Sequence, residues 1–262
     1  MGLGYLFINN NIKAIILRGI LKKLLYFLLS DTRTFCVFQN NDDLKYFVKN
    51  KILKSSQNLV IKSSGVDTKY FKPSNKVKKK YDLIMHSRML VDKGVLDLIM
   101  AIKYLKKKNI FLNVLLLGNP DEKNLATINK SELESWNKEN LITWFPAQLN
   151  VKKFILQSRI AVLPSYREGF PKSLLEAASC GLPIITNDVE GCREICIDNF
   201  NGSLAKARDF LDLSEKIKNL TSKKELIKRM GSNSRKLVLK YYTQEKVSRQ
   251  FLTLYKKVKV KI

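Results

Sequence analysis

Histidine is almost missing from this chain of 262 residues: there is one, His86. A zinc site at the closely spaced Cys192 and Cys196 would need further ligands, and His86 lies far away in sequence. The four cysteines (Cys36, Cys180, Cys192, Cys196) form no framework of the kind that staples small secreted proteins. No stretch reads as a signal peptide, so reduced thiols in a cytosolic setting are expected. Cys192 and Cys196 are four apart and could meet on a helix, but their type favours a role as small buried hydrophobes. The chain also lacks an uninterrupted apolar run long enough to span a bilayer. Its greasiest stretch, Ile12–Leu29, carries Arg18, Lys22 and Lys23 at its centre. With 45% apolar residues the chain is nevertheless too hydrophobic to be disordered.

Acid is scarce at both ends. Residues 1–80 hold 16 Lys and Arg against four Asp and no Glu, a net of +12. Residues 81–205 are balanced at +1, and residues 206–262 return to +12, which together give the formal +25. Basic flanks around a neutral middle suit nucleic acid, anionic lipid or phosphate ligands, or nothing beyond solubility. Arg18 and Lys22 lie one helical turn apart within the apolar Ile12–Leu29. That segment reads either as a basic helix lying on an anionic membrane or as a buried helix of an α/β domain.

Further along, Thr34–Gln39 reads as a short buried strand, Asp42–Asn50 as a helix with an Asn or Asp cap, and Leu59–Ile61 as a second strand. Pro73–Lys80 is polar and without periodicity, as a linker would be. A regular alternation follows. Strands are expected at Tyr81–His86, Phe111–Leu117, Leu141–Phe145, Ile160–Leu163 and Ile184–Thr186. Helices are expected at Val95–Lys107, Leu125–Asn137, Val151–Gln157, Ser173–Ser179, Asp209–Asn219, Lys223–Tyr241 and Thr243–Val258, with a short turn at Arg193–Ile197. Short apolar strands alternating with helices predict a doubly wound α/β fold with a parallel sheet covered on both faces. Its ligands belong beyond the carboxyl ends of the strands.

Three segments leave such strand ends. Ser87–Gly94 offers Arg88 and Lys93, one suited to bidentate phosphate contact and the other a point charge. Pro164–Glu176 places Glu168 in a loop and Glu176, eight residues on, in the helix that follows. The free N–H groups of that helix's first turn, residues 171–174, would hold an anion. Glu176, further in, would accept hydrogen bonds from a ribose diol, and Glu168 lies where a sugar on the far phosphate would be. Cys180–Glu194 returns to the same crevice with Gly191 and Glu194. Each feature alone reads equally well as a solvated surface charge; their order and spacing carry the inference.

Glu168-Gly-Phe-Pro-Lys-Ser-Leu-Leu-Glu176 resembles the E-x7-E motif of retaining, GT-B-fold glycosyltransferases of family 4. Ser87–Val95 resembles that family's diphosphate loop, and Ala-Ser-Cys180-Gly-Leu-Pro-Ile-Ile185 and Gly191-Cys-Arg-Glu194 resemble its next two landmarks. Gly65-Val-Asp67 with Phe71 resembles its interdomain signature, and Asn201-Gly202 the turn after its last core strand. Gly2–Phe7 is similar to the branch of bacterial enzymes that extend lipid-linked polysaccharide precursors. The resemblance implies one complete Rossmann-like domain at 81–240 and a shortened N-terminal, acceptor-side Rossmann-like half at 1–72. Residues 73–80 would link the two, and a helix at 241–262 would cross back onto the first.

The resemblance also implies roles. Arg88 and Lys93 would neutralise the diphosphate of a nucleotide sugar, with UDP the expected nucleotide. Glu168, the catalytic candidate, would hold the donor sugar with the backbone of Gly169, Phe170, Pro171 and Lys172, and Glu176 would bind the ribose. No cofactor or metal is expected, in keeping with the absence of an Asp-x-Asp. The acceptor would be a polyprenyl-diphosphate-linked saccharide, met in the cytoplasm at the inner face of the membrane. A non-catalytic nucleotide-sugar-binding remnant and a GT-B epimerase remain alternatives. Nucleic acid is not an expected partner, because no basic surface interleaved with aromatics is legible.

Overall fold

The computed structural model describes residues 12–29, 31, 34–53 and 58–259; Gly2–Phe7 lies outside them. The first elements are helix α1 (Ile12–Leu29), strand β1 (Cys36–Phe38), helix α2 (Asn41–Lys49) and strand β2 (Asn58–Val60). β1 and β2 pair in parallel, Val37 opposite Leu59. Both of those residues are exposed, so this sheet is half open and β1 is not the buried strand expected. Its covered face meets helix α10 (Gln244–Lys259), whose Val247 and Leu254 pack on Ile61, with Phe35 and Phe251 alongside.

The larger sheet is wholly parallel. Its strands are β3 (Tyr81–His86), β4 (Val114–Leu117), β5 (Thr143–Phe145), β6 (Ser158–Leu163), β7 (Ile184–Asn187) and β8 (Gly202–Ala205), in the order β5-β4-β3-β6-β7-β8. The order reverses between β3 and β6, where Leu83 lies opposite both Val114 and Ile160. Such a switch point opens a crevice at the carboxyl edge. β4 and β7 are buried along their whole length; β4 is accordingly apolar throughout, and the Thr186 and Asn187 side chains of β7 bond to Leu163 O and Pro164 O. The crossovers are α3 (Val95–Lys107), α4 (Lys130–Lys138), α5 (Val151–Leu156), α6 (Lys172–Ser179) and the short α7 (Cys192–Ile195). After β8 come α8 (Phe210–Thr221) and α9 (Lys224–Tyr241); α3 packs on α8, and α6 on α9.

Two elements differ from the sequence reading. The helix expected from Leu125 begins only at Lys130. Residues 121–129 instead pair with the loop after β3: Ile128 N–H donates to Met89 O at 2.9 Å and Val91 N–H to Ala126 O at 2.8 Å. The Glu132 carboxylate accepts from the Asn129 N–H at 3.0 Å, which fixes the helix start there. Secondly, Asn201-Gly202 does not follow the last core strand but opens it, since Gly202–Ala205 pairs with Ile184–Asn187. Cys180, Cys192 and Cys196 are buried free thiols. Burial pushes Cys180 and Cys192 up to about 12 and raises Cys196 as well.

Arg235 on α9 ties the chain leading into the large sheet to α6. It donates to Phe71 O and Ser179 O at 2.8 Å and to Thr68 O at 3.0 Å. Val66 and Thr243 form a parallel bridge nearby, which anchors the start of α10.

The loops at the carboxyl edge of the large sheet touch backbone to backbone. Gly94 has φ +76°, and a Cβ there would lie 2.0 Å from Pro164 O. A Gly94→Ala variant must therefore separate the loops after β3 and β6 as well as hold a left-handed residue. The expected loss is more than about 2 kcal/mol, a fall in melting temperature of roughly 4–8 °C for a chain of this size. Gly19→Ala, on α1 with open space around it, should not lower the melting temperature. Thermal unfolding followed by circular dichroism distinguishes the two.

Candidate functional site

The loop after β6 is pinned on two sides before any side chain of the site is placed. Tyr166 N–H donates to Asp92 O at 2.9 Å and Ser165 Oγ to the same oxygen at 3.1 Å, which fixes it to the loop after β3. From the other side Asn187 Nδ2, fully buried at the end of β7, donates to Pro164 O at 2.8 Å and Ser165 O at 3.2 Å. Gly191, at φ +75°, brings the loop after β7 so close that a Cβ would lie 2.2 Å from Glu168 O. Glu168 N–H donates to Glu190 O at 3.2 Å across that contact.

This scaffold brings the candidate residues together. Lys93 Nζ lies 2.6 Å from Glu168 Oε1, with only 17% and 13% of the two side chains exposed. Glu176, 8% exposed on α6, has Oε2 3.3 Å from His86 Nε2 and Oε1 4.0 Å from Lys172 Nζ. Arg88 is exposed and reaches over the loop after β4 to Asp121 Oδ2 at 2.8 Å. At this rim of the carboxyl edge Lys93 thus stands with Glu168, Glu176 with His86 and Arg88 with Asp121, and of the four candidates Arg88 alone lines the neighbouring cavity. The negative charge of Glu168 also reaches Cys192 beneath it, adding to the burial that raises that thiol.

The donor-sugar candidates divide. Pro171 caps α6 and has no N–H to give, so the free amides at this end begin with Lys172. Phe170 turns inward and stacks on Tyr242, ring centroids 5.0 Å apart, so only its backbone can face the crevice. The Gly169 carbonyl already accepts from Asn40 Nδ2 at 2.9 Å. Lys172 is exposed apart from its reach towards Glu176.

A cavity of about 860 Å³ continues from this rim past the ends of β4 and β5. His86 and Arg88 form one wall; Gly118, Asn119, Trp144 and Pro146 form another. The second wall is fixed in advance: Trp144 Nε1 donates to Gly118 O at 3.0 Å, and Asn119 Oδ1 accepts from Ala147 N–H at 2.8 Å. A cavity of this size suits a small molecule with a flat, partly apolar end. The sequence reading marked Gly118 as a strand end but gave neither loop a part in the site. It also passed over His86, Asn40, Asp43 and Arg167. His86 carried a signal, being the last residue of a strand that ends at the crevice; for Asn40 and Asp43 nothing in the sequence points across to the loop. Among the described residues, no group of three or more His, Cys, Asp or Glu could hold a metal ion.

The profile of a family described as "Glycosyl transferases group 1" matches residues 66–237. A Campylobacter jejuni protein named N,N'-diacetylbacillosaminyl-diphospho-undecaprenol alpha-1,3-N-acetylgalactosaminyltransferase is 32% identical over 98% of this chain and 69% of its own length. An Escherichia coli protein named UDP-Gal:alpha-D-GlcNAc-diphosphoundecaprenol alpha-1,3-galactosyltransferase is 25% identical over 74% of this chain and 52% of its own. The structure of Anabaena Alr3699/HepE in complex with UDP superposes with a TM-score of 0.75, covering 85% of this chain and 64% of that one at 16% identity. At that identity the likeness is one of fold, the GT-B fold. The chain spans roughly half to two thirds of the length of these two curated relatives. With the profile running from just before the β3 strand to α9 and a relative this similar along nearly the whole chain, the protein belongs to the group 1 glycosyl transferase family.

Proposed function

We propose that this chain carries the donor site of a retaining, family 4 glycosyltransferase that moves a sugar from a UDP-sugar to a lipid-linked saccharide. The observation that carries the reading is the set of polar pairs around α6, Lys93 on Glu168 and the His86 imidazole on the Glu176 carboxylate, beside the 860 Å³ cavity that His86 and Arg88 line. The base fits the cavity and the ribose diol the Glu176 carboxylate. The diphosphate fits between Arg88, Lys93 and the α6 amides, and the sugar meets Glu168. Carboxylates accept from hydroxyls, and cations with a helix N-terminus hold phosphate, so each group meets its complement.

In this reading the bond from the anomeric carbon to the diphosphate oxygen breaks, and one to the acceptor oxygen forms on the same face. The acceptor proton passes to the leaving diphosphate. Fixed cations meet the charge that develops on that diphosphate, so a chelator such as EDTA is expected to leave transfer unchanged. The names of the relatives support an undecaprenyl-diphosphate-linked acceptor. We place the donor domain at residues 81–240 and the acceptor side at residues 1–72 with α10.

A thermal-shift panel of nucleoside diphosphates and their sugars on the wild type and Glu176→Ala tests the donor site. UDP is expected to raise the wild-type melting temperature most. Glu176→Ala should bind it roughly 10- to 100-fold more weakly, the loss of charge-assisted bonds to a diol. A variant that binds UDP as the wild type does would remove the ribose role, and a wild type stabilised by no nucleoside diphosphate would remove the whole reading.

The acceptor side offers a face for the membrane. α1 leaves Ile12 and Phe27 more than three-quarters exposed, and Ile15, Ile16, Ile20 and Leu24 largely so. Lys13 and Lys23 stand exposed among them, while Lys22 Nζ turns back to Asn50 Oδ1 at 2.8 Å. No helix among the described residues is long and apolar enough to cross a membrane. We place α1 flat on an anionic surface, apolar side chains in the interface and cations on the headgroups. Co-sedimentation with phosphatidylglycerol vesicles is expected at low salt, falling at high salt and falling in an Ile16→Ser, Ile20→Ser variant. Binding that ignores salt, or none at all, would sink this placement.

A further inference from the structure

We infer that Asn40 and Asp43, at the start of α2, are positioning residues for Glu168, and that their effect is felt by the donor sugar and not by the nucleotide. The inference rests on the donor reading of Glu168 and adds two residues from a distant part of the chain.

Asn40 is fully buried, and its side chain makes three hydrogen bonds. Its Oδ1 accepts from Asp43 N–H at 2.7 Å, which caps α2. Its Nδ2 donates to Asp43 Oδ2 at 3.0 Å and to Gly169 O at 2.9 Å. The other carboxylate oxygen of Asp43 pairs with Arg167 Nη2, and the two side chains are only 9% and 13% exposed. Glu168 thus sits between two neighbours that are both held from α2, Arg167 by its side chain and Gly169 by its carbonyl. Lys93 and the Glu190 carbonyl hold Glu168 itself.

Stability alone is a poor reason for this arrangement. A helix cap needs only one acceptor, which Asn40 Oδ1 already supplies, so capping does not account for the two bonds of Asn40 Nδ2. A buried ion pair adds little net stability, because desolvation offsets most of its attraction. Arg167 Nε moreover has no hydrogen-bond partner, so the guanidinium is not placed for its own satisfaction. What the cluster does fix is direction. With Arg167 and Gly169 clamped, the backbone that carries Glu168 is held on both sides, and its carboxylate is presented to Lys93. Arg88, Lys93 and Glu176, which meet the nucleotide in the donor reading, make none of these contacts.

The test is calorimetric titration of the protein with UDP and with two donors, UDP-N-acetylgalactosamine and UDP-glucose, using whichever donor the wild type binds more tightly. Asn40→Ser keeps a good helix cap but is too short to reach Gly169 O. Asp43→Asn keeps the shape and removes the charge that pairs with Arg167. Each is expected to weaken donor binding about ten-fold while UDP affinity stays within about two-fold. Asp42→Asn, on the same turn and paired with exposed Arg193 at 3.2 Å among the described residues, should change neither. If Asp43→Asn fails to fold, Asp43→Glu, which keeps the charge and moves it by one methylene, decides instead.

Variants that bind the donor as tightly as the wild type overturn the inference, as do variants that lose UDP and donor equally. Glu168→Gln separates this from the donor reading. If it loses the sugar contribution while Asn40→Ser and Asp43→Asn do not, only the positioning role fails. If it keeps that contribution, or the wild type binds no nucleoside diphosphate, the donor reading fails and takes the positioning role with it.

Discussion

The close approach of three loop backbones at the carboxyl edge of the large sheet is the constraint on which the site depends. The loop after β3 rests on the loop after β6 at Gly94 and Pro164, and the loop after β7 rests on the same segment at Gly191 and Glu168. Neither contact leaves room for a Cβ. A parallel sheet delivers its loops to one edge but does not by itself make them touch. Here the touching turns three strand ends into one surface, and it sets Lys93 within 2.6 Å of a carboxylate 75 residues away. Asn187 and the Asp92 carbonyl then hold the middle loop so that its side chains have little choice of direction.

Polar groups on that surface are arranged in pairs. Lys93 with Glu168, His86 with Glu176 and Arg88 with Asp121 each join groups from different loops or elements. The first two pairs are mostly buried and the third is open to solvent. An isolated charge in such a place would be costly, and a paired one is tolerable. The near-neutral balance of residues 81–205 is the sequence-level trace of this pairing, while the unbalanced lysines of both flanks lie outside the large sheet.

Much of this was legible before the structure. Buried strands with few polar residues, such as Ile160–Leu163, announce a parallel sheet, because nothing else hides both faces of a four-residue apolar run. The spacing of Glu168 and Glu176 separated a loop carboxylate from a helical one. The failures have physical causes. Leu125 and Ile128 gave residues 125–137 a helical look, but the backbone of 126–128 bonds to the loop after β3, a tertiary preference invisible to local pattern. Gly202–Ala205 is short and carries a serine, so its pairing with β7 left no periodic mark. β1 read as buried because its residues are apolar, yet only one face of a two-stranded sheet finds a cover. The cavity walls at Gly118–Asp121 and Trp144–Gln148 were missed because they work through peptide groups and a ring edge, which carry no motif. The sequence reading saw an Asn or Asp cap at this helix, and Asn40 is that cap, accepting from the Asp43 N–H. The Asn40 and Asp43 side chains also face Gly169 and Arg167, and one sequence position cannot advertise both partners.

That double use of a cap bears on how the two sheets are joined. The chain passes from β2 to the large sheet through a segment stitched by Arg235 and by the Val66 bridge, and α10 returns to cover Ile61. These contacts lie on the α9 and α10 side and would hold the sheets together whatever the crevice did. The α2 contacts are different in kind. They are polar, they are buried, and they fall on the residues either side of Glu168, although apolar packing there would hold two bodies together as well or better. Hydrogen bonds and a charge pair specify direction where apolar contact specifies only proximity. A junction that needed only adhesion had the apolar solution already, at Ile61 and Leu254. The polar one stands where a carboxylate must point one way.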